Sequence, residues 1–270
     1  MIDGALPYLR CPVCEQSLAR FERSLRCAGG HGFDLAKQGY ANLTAGRRPH
    51  SGDTVEMIAD RAAFLSAGHY DFIADAIVER TAGGLILDAG TGTGYYLARA
   101  LDAAPGAAGL GVDASKPALR RAARSHPRAA AVLADLWRPL PVADAAASVI
   151  LNVFAPRNGA EFHRVLRPGG VLVVVTPAPD HLAELIAAYG LIRVDPGKAA
   201  RVEDSLGAYF EPAESRTLRR TLRLNPAETS TLIGMTPSAR HVASPHHPPR
   251  STPATAAVTI TTYRPTHPGR

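Results

Sequence analysis

The sequence predicts an α/β fold: a mostly parallel, seven-stranded sheet with helices on both faces, preceded by a small metal-binding domain. From Leu85 onward, short apolar runs alternate with segments of helical spacing, which is typical of βαβ units on a parallel sheet. A glycine-rich stretch follows the first of these runs, where a strand would turn into a helix. All three cysteines lie within the first 27 residues, which sets the N-terminal segment apart.

Length and composition limit the possible classes of protein. The chain has 270 residues, of which 46% are hydrophobic, so it can bury a core and is not a disordered polymer. No apolar run approaches the roughly 18 residues that a membrane span needs, and the first residues lack the features of a secretory signal. The sequence therefore predicts a soluble, cytoplasmic protein without a membrane partner. Arginine supplies 27 of the 30 basic residues, a bias that fits phosphate contact and a biased genome almost equally well.

The cysteines of the first segment, residues 1–40, form a metal-ligand pattern. Two residues separate Cys11 from Cys14, and three separate Cys27 from His31. Two such pairs can supply a closed tetrahedral set of three thiolates and one imidazole, which suits zinc. An odd number of cysteines at one end does not describe a disulfide framework. The pattern predicts a structural zinc ribbon; the alternative is a group of buried thiols without a metal.

Residues 41–82 are expected to form a helical linker. Apolar residues recur at helical spacing between residues 54 and 66. Asp53 is the expected N-cap, Glu56 its capping-box partner and Gly68 the stop signal. A second helix is predicted from Asp71 to about Arg80.

The α/β domain is expected to cover residues 83–270. Strands are predicted at 85–89, 110–113, 130–134, 148–154 and 170–176, with helices near 95–103, 117–125, 159–166 and 180–189. A late pair of strands is predicted at 216–224 and 257–263, with a short helix at 226–234 between them. Residues 225–256 are expected to be an insertion or flexible segment, because 244–256 are rich in proline and histidine.

The glycine-rich loop contains Gly90, Gly92, Thr93 and Gly94, and Asp88 lies two residues before it. A dinucleotide fingerprint would place its third glycine one position later, and a Walker loop would need a lysine that is absent. S-adenosylmethionine has no pyrophosphate to seat, but the ammonium of its amino-acid end needs a carboxylate or carbonyl. Asp88 can serve that end, directly or through water.

Polar side chains follow the ends of successive predicted strands. Asp113 ends the second strand, where an acid can bind both ribose hydroxyls, and Asp135 follows the third, where it can receive the adenine amino group. Asn152 ends the fourth strand, at the rim where such sheets hold substrates. Each aspartate alone could be a cap or a solvated loop residue. Together with the glycine loop, they predict a class I, Rossmann-like methyltransferase that uses S-adenosylmethionine.

Several motifs are far more specific than the glycine loop, and together with the zinc pattern they resemble the RlmA-type 23S rRNA guanine-N1 methyltransferases. The similarity covers about residues 7 to 237, and its motifs lie at 31–43, 52–57, 61–70 and 176–182. The stretch 152–158 is most similar to the branch associated with resistance to tylosin-type macrolides.

The resemblance implies zinc at Cys11, Cys14, Cys27 and His31. It also implies contacts to S-adenosylmethionine from Tyr70, Gly92, Thr93 and His181. The implied partners are a second copy of the chain, as a homodimer, and a target hairpin loop in domain II of 23S rRNA near the peptide exit tunnel. The family usually has a tryptophan three residues after a Met-Thr-Pro motif, where this chain has Arg240.

The expected reaction must remove the proton from N1 of guanine. Asp135, Asn152 and His181 are candidates near the reacting atoms, and the sequence assigns none of them as the general base. Two alternatives remain open: a small-molecule methyltransferase, and a non-enzymatic zinc-containing RNA-binding protein. Among the basic residues, Arg47 and Arg48 are candidates for phosphate contact, whereas a solvated helix face is the interpretation of Arg120, Arg121, Arg124 and Arg128.

Overall fold

The computed structural model describes residues 2–50, 52–81, 83–240 and 252–266. At the N-terminus, α1 (Ile2–Ala5) and a single 3-10 turn (Leu6–Tyr8) precede a small antiparallel sheet. Its strands are β1 (Leu18–Phe21), β2 (Ser24–Cys27) and β3 (Gly32–Asp34), in that order. Three short strands around the cysteines are what a zinc ribbon requires, so the small N-terminal domain is confirmed.

The linker contributes β4 (Ala41–Asn42), α2 (Val55–Ser66) and α3 (Asp71–Val78). The predicted cap of α2 is wrong. The N-cap is Thr54, whose side chain accepts a hydrogen bond from the backbone N–H of Met57, whereas Asp53 forms an ion pair of 2.5 Å with Arg61. The Asp53 carboxylate binds a guanidinium eight residues further along the chain, and the hydroxyl of the next residue then takes the cap.

The α/β domain follows the predicted alternation of strands and helices. Its elements are β5 (Leu85–Ala89), α4 (Tyr95–Ala103), β6 (Ala108–Asp113), α5 (Lys116–Ala122), β7 (Ala129–Leu133), β8 (Ala147–Val153), α6 (Gly159–Val165), β9 (Leu166–Pro177), α7 (Ala183–Tyr189), α8 (Lys198–Leu206), β10 (Phe210–Leu224), α9 (Pro226–Gly234), a 3-10 turn (Pro237–Arg240) and β11 (Thr252–Pro265). Helix α8 has no counterpart in the prediction. The segment 225–256 contains α9 and the start of β11, and its residues 241–251 lie outside the described part of the chain.

The main sheet has the strand order β10-β11-β9-β8-β5-β6-β7-β4. Pairs from β9 through β8, β5, β6 and β7 to β4 are parallel, and β11 is antiparallel to both β9 and β10. The mostly parallel sheet is therefore confirmed, with the seven strands of the α/β domain and one addition. The eighth strand, β4, comes from the linker and pairs through Ala41 and Asn42 with the outer edge of β7.

Two apolar cores cover the two faces of this sheet. On β5, Leu85 and Leu87 enter one core while Ile86 enters the other, because successive side chains of a strand point to opposite faces. The first core also includes Leu18 and Leu25 of the ribbon, so the ribbon packs directly on the sheet. Helices α2, α3, α4 and α9 supply the second core. Among the described residues, no helix combines the length and apolar character needed to cross a bilayer.

Candidate active site and metal site

The four predicted metal ligands converge in the ribbon. One ligand atom from each of Cys11, Cys14, Cys27 and His31 lies within 4.8 Å of all the others. The sulfurs of Cys14 and Cys27 are 3.6 Å apart, and Nδ1 of His31 is 3.3 Å from the Cys27 sulfur. A tetrahedral zinc ion with sulfur at about 2.3 Å spaces its thiolates about 3.8 Å apart. The donor set and its spacing therefore fit zinc with no open coordination position.

The ribbon backbone folds so that these ligands face one point. The N–H of Glu15 donates to the carbonyl of Cys11 and that of Gly30 to the carbonyl of Cys27, which closes a tight turn behind each cysteine. Burial raises the pKa of the Cys27 thiol, but hydrogen bonds from the backbone and ring of His31 outweigh it and lower the pKa to about 6. A thiolate at neutral pH is the form that binds metal.

A cavity of about 620 Å³ opens where the parallel strands end. Seven of the predicted cofactor contacts line it: Tyr70, Gly90, Gly92, Thr93, Asp113, Asp135 and His181. Three other predicted residues, Asp88, Gly94 and Asn152, are buried and do not line it. The cavity also has lining residues that the sequence did not single out, among them His50, Arg61, Trp137 and Phe154.

The glycine loop is packed too tightly for side chains at its first and third glycines. A Cβ on Gly90 would lie 2.3 Å from the Cβ of Ala155, and one on Gly94 would lie 2.5 Å from the hydroxyl of Ser125. Both glycines have positive φ, 90° and 81°, which glycine adopts without a steric penalty. The loop is therefore wedged between the ends of β5 and β8 and the end of α5.

Asp113 fixes the far side of this loop. One carboxylate oxygen accepts the N–H of Gly92 at 2.8 Å and the other accepts the N–H of Ser115 at 2.7 Å. Burial raises the pKa of Asp113 above its usual value, and the two backbone donors offset only part of that rise. Each oxygen keeps a lone pair, so the carboxylate can still accept two ribose hydroxyls.

Asp88 lies beneath the loop and is 1% exposed. It accepts the hydroxyl of Thr91 at 2.7 Å, and burial raises its pKa to about 7. Its contact is with a cavity-lining threonine rather than with the cavity itself.

Asp135 is already bound by three protein donors. Its carboxylate accepts the backbone N–H of His50, the His50 ring at 2.7 Å and the N–H of Trp137 at 3.0 Å. Burial raises the pKa of Asp135, but these hydrogen bonds outweigh burial and lower it. No spacing rule in the sequence connects His50 with Asp135, because 85 residues separate them.

Asn152 is completely buried at the end of β8. Its amide donates to the carbonyls of Ala89 and Pro156, at 3.1 and 2.8 Å, so it ties the end of β5 to the loop after β8. Within the described residues its Oδ1 has no hydrogen-bond partner. This geometry gives Asn152 a positioning role for the cavity wall.

Tyr70 and His181 are neighbours in the cavity wall, with the tyrosine hydroxyl 3.5 Å from Nε2 of the histidine. Nδ1 of His181 lies 2.8 Å from the carbonyl oxygen of Ala257 and 3.2 Å from its backbone nitrogen, so it either donates to the carbonyl or accepts from the N–H, depending on the tautomer. Burial lowers the pKa of His181, so the ring is neutral near pH 7. The tautomer protonated on Nδ1, which makes the shorter of these two hydrogen bonds, has an unprotonated Nε2 that can accept from the Tyr70 hydroxyl.

The cavity fits S-adenosylmethionine by the chemistry of its walls. Carboxylates of Asp53, Asp113 and Asp135 lie at the β6 and β7 side, where ribose and amino groups need acceptors. Apolar side chains between them, such as Leu136, provide a face for the adenine ring. Gly90 and Gly92 let the backbone come close to the ligand.

Comparison with known proteins identifies both parts of the chain. Residues 9–51 match the family model described as "RlmA, N-terminal", and residues 86–170 match the model described as "Methyltransferase domain".

Two relatives extend the match over almost the whole chain. A protein of Micromonospora griseorubida, provisionally named a 23S rRNA (guanine-N(1)-)-methyltransferase, is 53% identical over 98% of this chain and 100% of its own length. The 23S rRNA (guanine(748)-N(1))-methyltransferase of Streptomyces fradiae is 48% identical over 89% of both chains. Among solved structures, the YcgJ protein of Bacillus subtilis covers 73% of this chain and 98% of its own, with a TM-score of 0.50 at 14% identity. That likeness concerns the fold alone.

Proposed function

Because this chain belongs to the family of 23S rRNA (guanine-N(1)-)-methyltransferases, we propose that it transfers a methyl group from S-adenosylmethionine to N1 of a guanine in 23S rRNA. The observation that carries the proposal is the cavity at the carboxyl ends of the parallel strands, with its glycine loop and carboxylates, in a chain that also has the complete zinc ribbon of the family. A small-molecule methyltransferase would not need the ribbon.

The cofactor is held between the glycine loop and the ends of β6 and β7. Gly90, Gly92 and Thr93 form the floor, and Asp113 accepts the ribose hydroxyls. Asp135 receives the adenine amino group while its bonds to His50 keep it in place. Tyr70 and His181 form the wall of the cavity at the end nearest the substrate. Asp88 and Gly94 do not contact the cofactor directly. Asp88 orients Thr91, and Gly94 allows the loop to pack on α5.

Guanine carries a proton on N1 at neutral pH, and that proton must leave as the new bond forms. The cofactor supplies a sulfonium methyl group that needs no further activation, so positioning contributes most of the rate. Of the three candidate residues, Asn152 is completely buried and Asp135 is held by three donors, whereas Nε2 of His181 has only the long contact of 3.5 Å with the Tyr70 hydroxyl and is unprotonated in the tautomer that donates to Ala257. His181 is therefore the proposed proton acceptor, with Tyr70 orienting its ring.

The remaining parts of the proposal concern organisation and context. Residues 1–40 form a zinc ribbon, 41–82 a linker and 83–270 the methyltransferase domain. The protein acts in the cytoplasm as a homodimer on a hairpin loop in domain II of 23S rRNA, near the peptide exit tunnel. Methylation there confers resistance to tylosin-type macrolides. Support for this context comes from the family resemblance, not from a contact in the structure.

Primer extension on treated 23S rRNA tests the proposal. Methylation of N1 blocks base pairing, so we expect reverse transcription to stop at one guanine only when both protein and S-adenosylmethionine are present. A protein that binds the cofactor in calorimetry but gives no stop would favour a small-molecule substrate. Absence of cofactor binding would favour a non-enzymatic RNA-binding protein.

The same assay tests His181. With the cofactor saturating, His181→Gln should lower kcat and remove the fall in rate below the pKa of the histidine. A variant with the turnover and pH profile of the wild type would exclude this residue as the proton acceptor.

A further inference from the structure

Two exposed aromatic side chains line the cavity close to groups that are proposed to hold the cofactor. Trp137 is 57% exposed and Phe154 is 42% exposed, and Ile192, another exposed apolar residue, lines the same cavity. Most large apolar side chains of the cavity region are buried, so these rings leave apolar area in water that a ligand can cover. Neither ring is assigned a cofactor contact in the proposed site.

Hydrogen bonds fix the main chain at both aromatic residues. Phe154 follows directly after β8 with φ of 53°, a left-handed conformation that is uncommon for a bulky residue, and its N–H donates to the carbonyl of Val175. Such strain concentrates at functional sites, where surrounding contacts maintain it. The N–H of Trp137 donates to Asp135, and the preceding carbonyl of Leu136 accepts the side chain of Asn158 at 2.9 Å. The backbone that carries both rings is therefore fixed before any ligand arrives.

Phe154 lies next to the proposed reacting centre. Its ring centroid is 6.0 Å from that of His181 and 6.4 Å from that of Tyr70. A flat ligand against Phe154 would therefore have one edge near Nε2 of His181.

Cationic side chains line the same cavity as the aromatic rings. Lys198 and Arg201 line the same cavity, and Arg157 is close enough for its charge to act on both. Burial lowers the pKa of Lys198, and the charges of Arg157 and Arg201 lower it further. Asp195 forms an ion pair with Arg201, whereas Lys198 and Arg157 form no ion pair among the described residues. The excess positive charge suits an anionic group such as a phosphate.

We propose that Trp137, Phe154, Lys198 and Arg201 form a nucleotide seat that binds one nucleotide splayed out of an RNA loop. The base stacks on Phe154 and Trp137, and the phosphate lies against Lys198 and Arg201. Stacking on aromatic rings and pairing with cations is how unpaired RNA bases are held outside a helix. This inference rests on the proposed function, because it assigns the substrate nucleotide of that same cavity.

Trp137 is the only tryptophan in the chain, so its fluorescence reports directly on the seat. The zinc-loaded full chain is titrated with a stem–loop RNA whose loop contains guanines, and separately with the same stem closed as a blunt duplex. We expect saturable quenching by the stem–loop and none by the duplex. Equal quenching by both RNAs would overturn the proposal, since a duplex offers no splayed base.

Variants then separate the two halves of the seat. Phe154→Leu keeps apolar volume but removes the ring, and should weaken stem–loop binding about tenfold. The double variant Lys198→Gln, Arg201→Gln should weaken binding and reduce the slope of log K against log salt by about one. Tyr209→Leu and Arg223→Gln are matched controls, because both side chains are exposed outside the cavity and should leave binding unchanged.

Cofactor affinity, measured by calorimetry for each variant, distinguishes the seat from the cofactor site. Weaker RNA binding with unchanged cofactor affinity supports the seat, whereas a parallel loss of both, or wild-type RNA binding by Phe154→Leu, overturns it. Failure of the proposed function gives a different result: the wild type would then produce no primer-extension stop even when the stem–loop quenches Trp137.

Discussion

Replacing Gly90 by alanine should destabilise the protein more than the same change at a glycine with similar backbone geometry. Gly90 has φ of 90°, and Gly106 has φ of 81°. At either position an L-residue loses about 1–2 kcal/mol from left-handed backbone strain. At Gly106 nothing lies within 4 Å of the new methyl group, so strain is the whole effect.

At Gly90 the new methyl group also has no room. It would lie 2.3 Å from the Cβ of Ala155 and 3.7 Å from Cδ1 of Leu136, so the loop after β8 must move. Overpacking of this kind costs about 1–3 kcal/mol. We therefore expect Gly90→Ala to lower the free energy of unfolding by about 2–5 kcal/mol, against about 1–2 kcal/mol for Gly106→Ala.

Urea unfolding of the two variants measures the difference, which isolates the contact between the loops after β5 and β8. Cofactor binding gives an independent reading. Displacement of Ala155 should weaken S-adenosylmethionine binding in Gly90→Ala, whereas Gly106→Ala should bind as the wild type does. Equal destabilisation of the two variants, with equal cofactor affinity, would refute the close approach that the structure describes.

Three further predictions concern the metal, a buried acid and a half-buried arginine. Cys14→Ser should lower zinc content measured by atomic absorption and unfold the ribbon as seen by limited proteolysis, because three ligands do not close the tetrahedral site; full zinc occupancy in this variant would contradict the assignment. The folded protein keeps the proton of Asp88 up to a pKa of about 7, whereas the unfolded chain loses it near 3.8, so ionisation of Asp88 reduces stability as pH rises from 4 to 7. A plot of the urea midpoint against pH should therefore be flatter between pH 4 and 7 for Asp88→Asn than for the wild type. Parallel curves for the two proteins would contradict the raised pKa of Asp88. Arg128 donates to the carbonyls of Leu101, Ala104 and Ala107, so Arg128→Met should cost about 2–4 kcal/mol in urea unfolding. Arg124→Met, at an exposed position four residues earlier, should stay within about 0.5 kcal/mol, and similar losses in the two variants would contradict the structural role of Arg128.

The order of strands and helices could be predicted because each buried strand is a short apolar run between segments of helical period. Leu85–Ala89 and Tyr95–Ala103 coincide with their predicted bounds. Strand β4 could not be predicted, because two residues carry no periodicity and their pairing depends on β7, which lies about 90 residues away. Helix α8 was missed for a similar reason: of its nine residues only Val202 and Leu206 are buried.

The metal site could be predicted because its ligands are pairs within two tight turns, where sequence spacing nearly fixes the distance. The solvated-face interpretation of Arg128 is wrong for the opposite reason. Its partners are carbonyls at the end of α4 and in the turn that follows, more than 20 residues away, and backbone acceptors leave no mark in a sequence. The same holds for the bond between His50 and Asp135, which depends on the path of the linker rather than on any local pattern.

That path connects the ribbon to the cofactor side of the cavity. After β4, the N–H of Leu43 donates to the carbonyl of Leu133, so the linker begins at the edge of the sheet. It then crosses the ends of the strands, where His50 binds Asp135 and the carbonyl of Asp53 accepts the hydroxyl of Ser115. Because the linker is attached at the ends of both β6 and β7, a displacement of the ribbon would pull on residues that line the cavity. The zinc site can therefore stabilise the geometry of the cofactor pocket without contributing an atom to it.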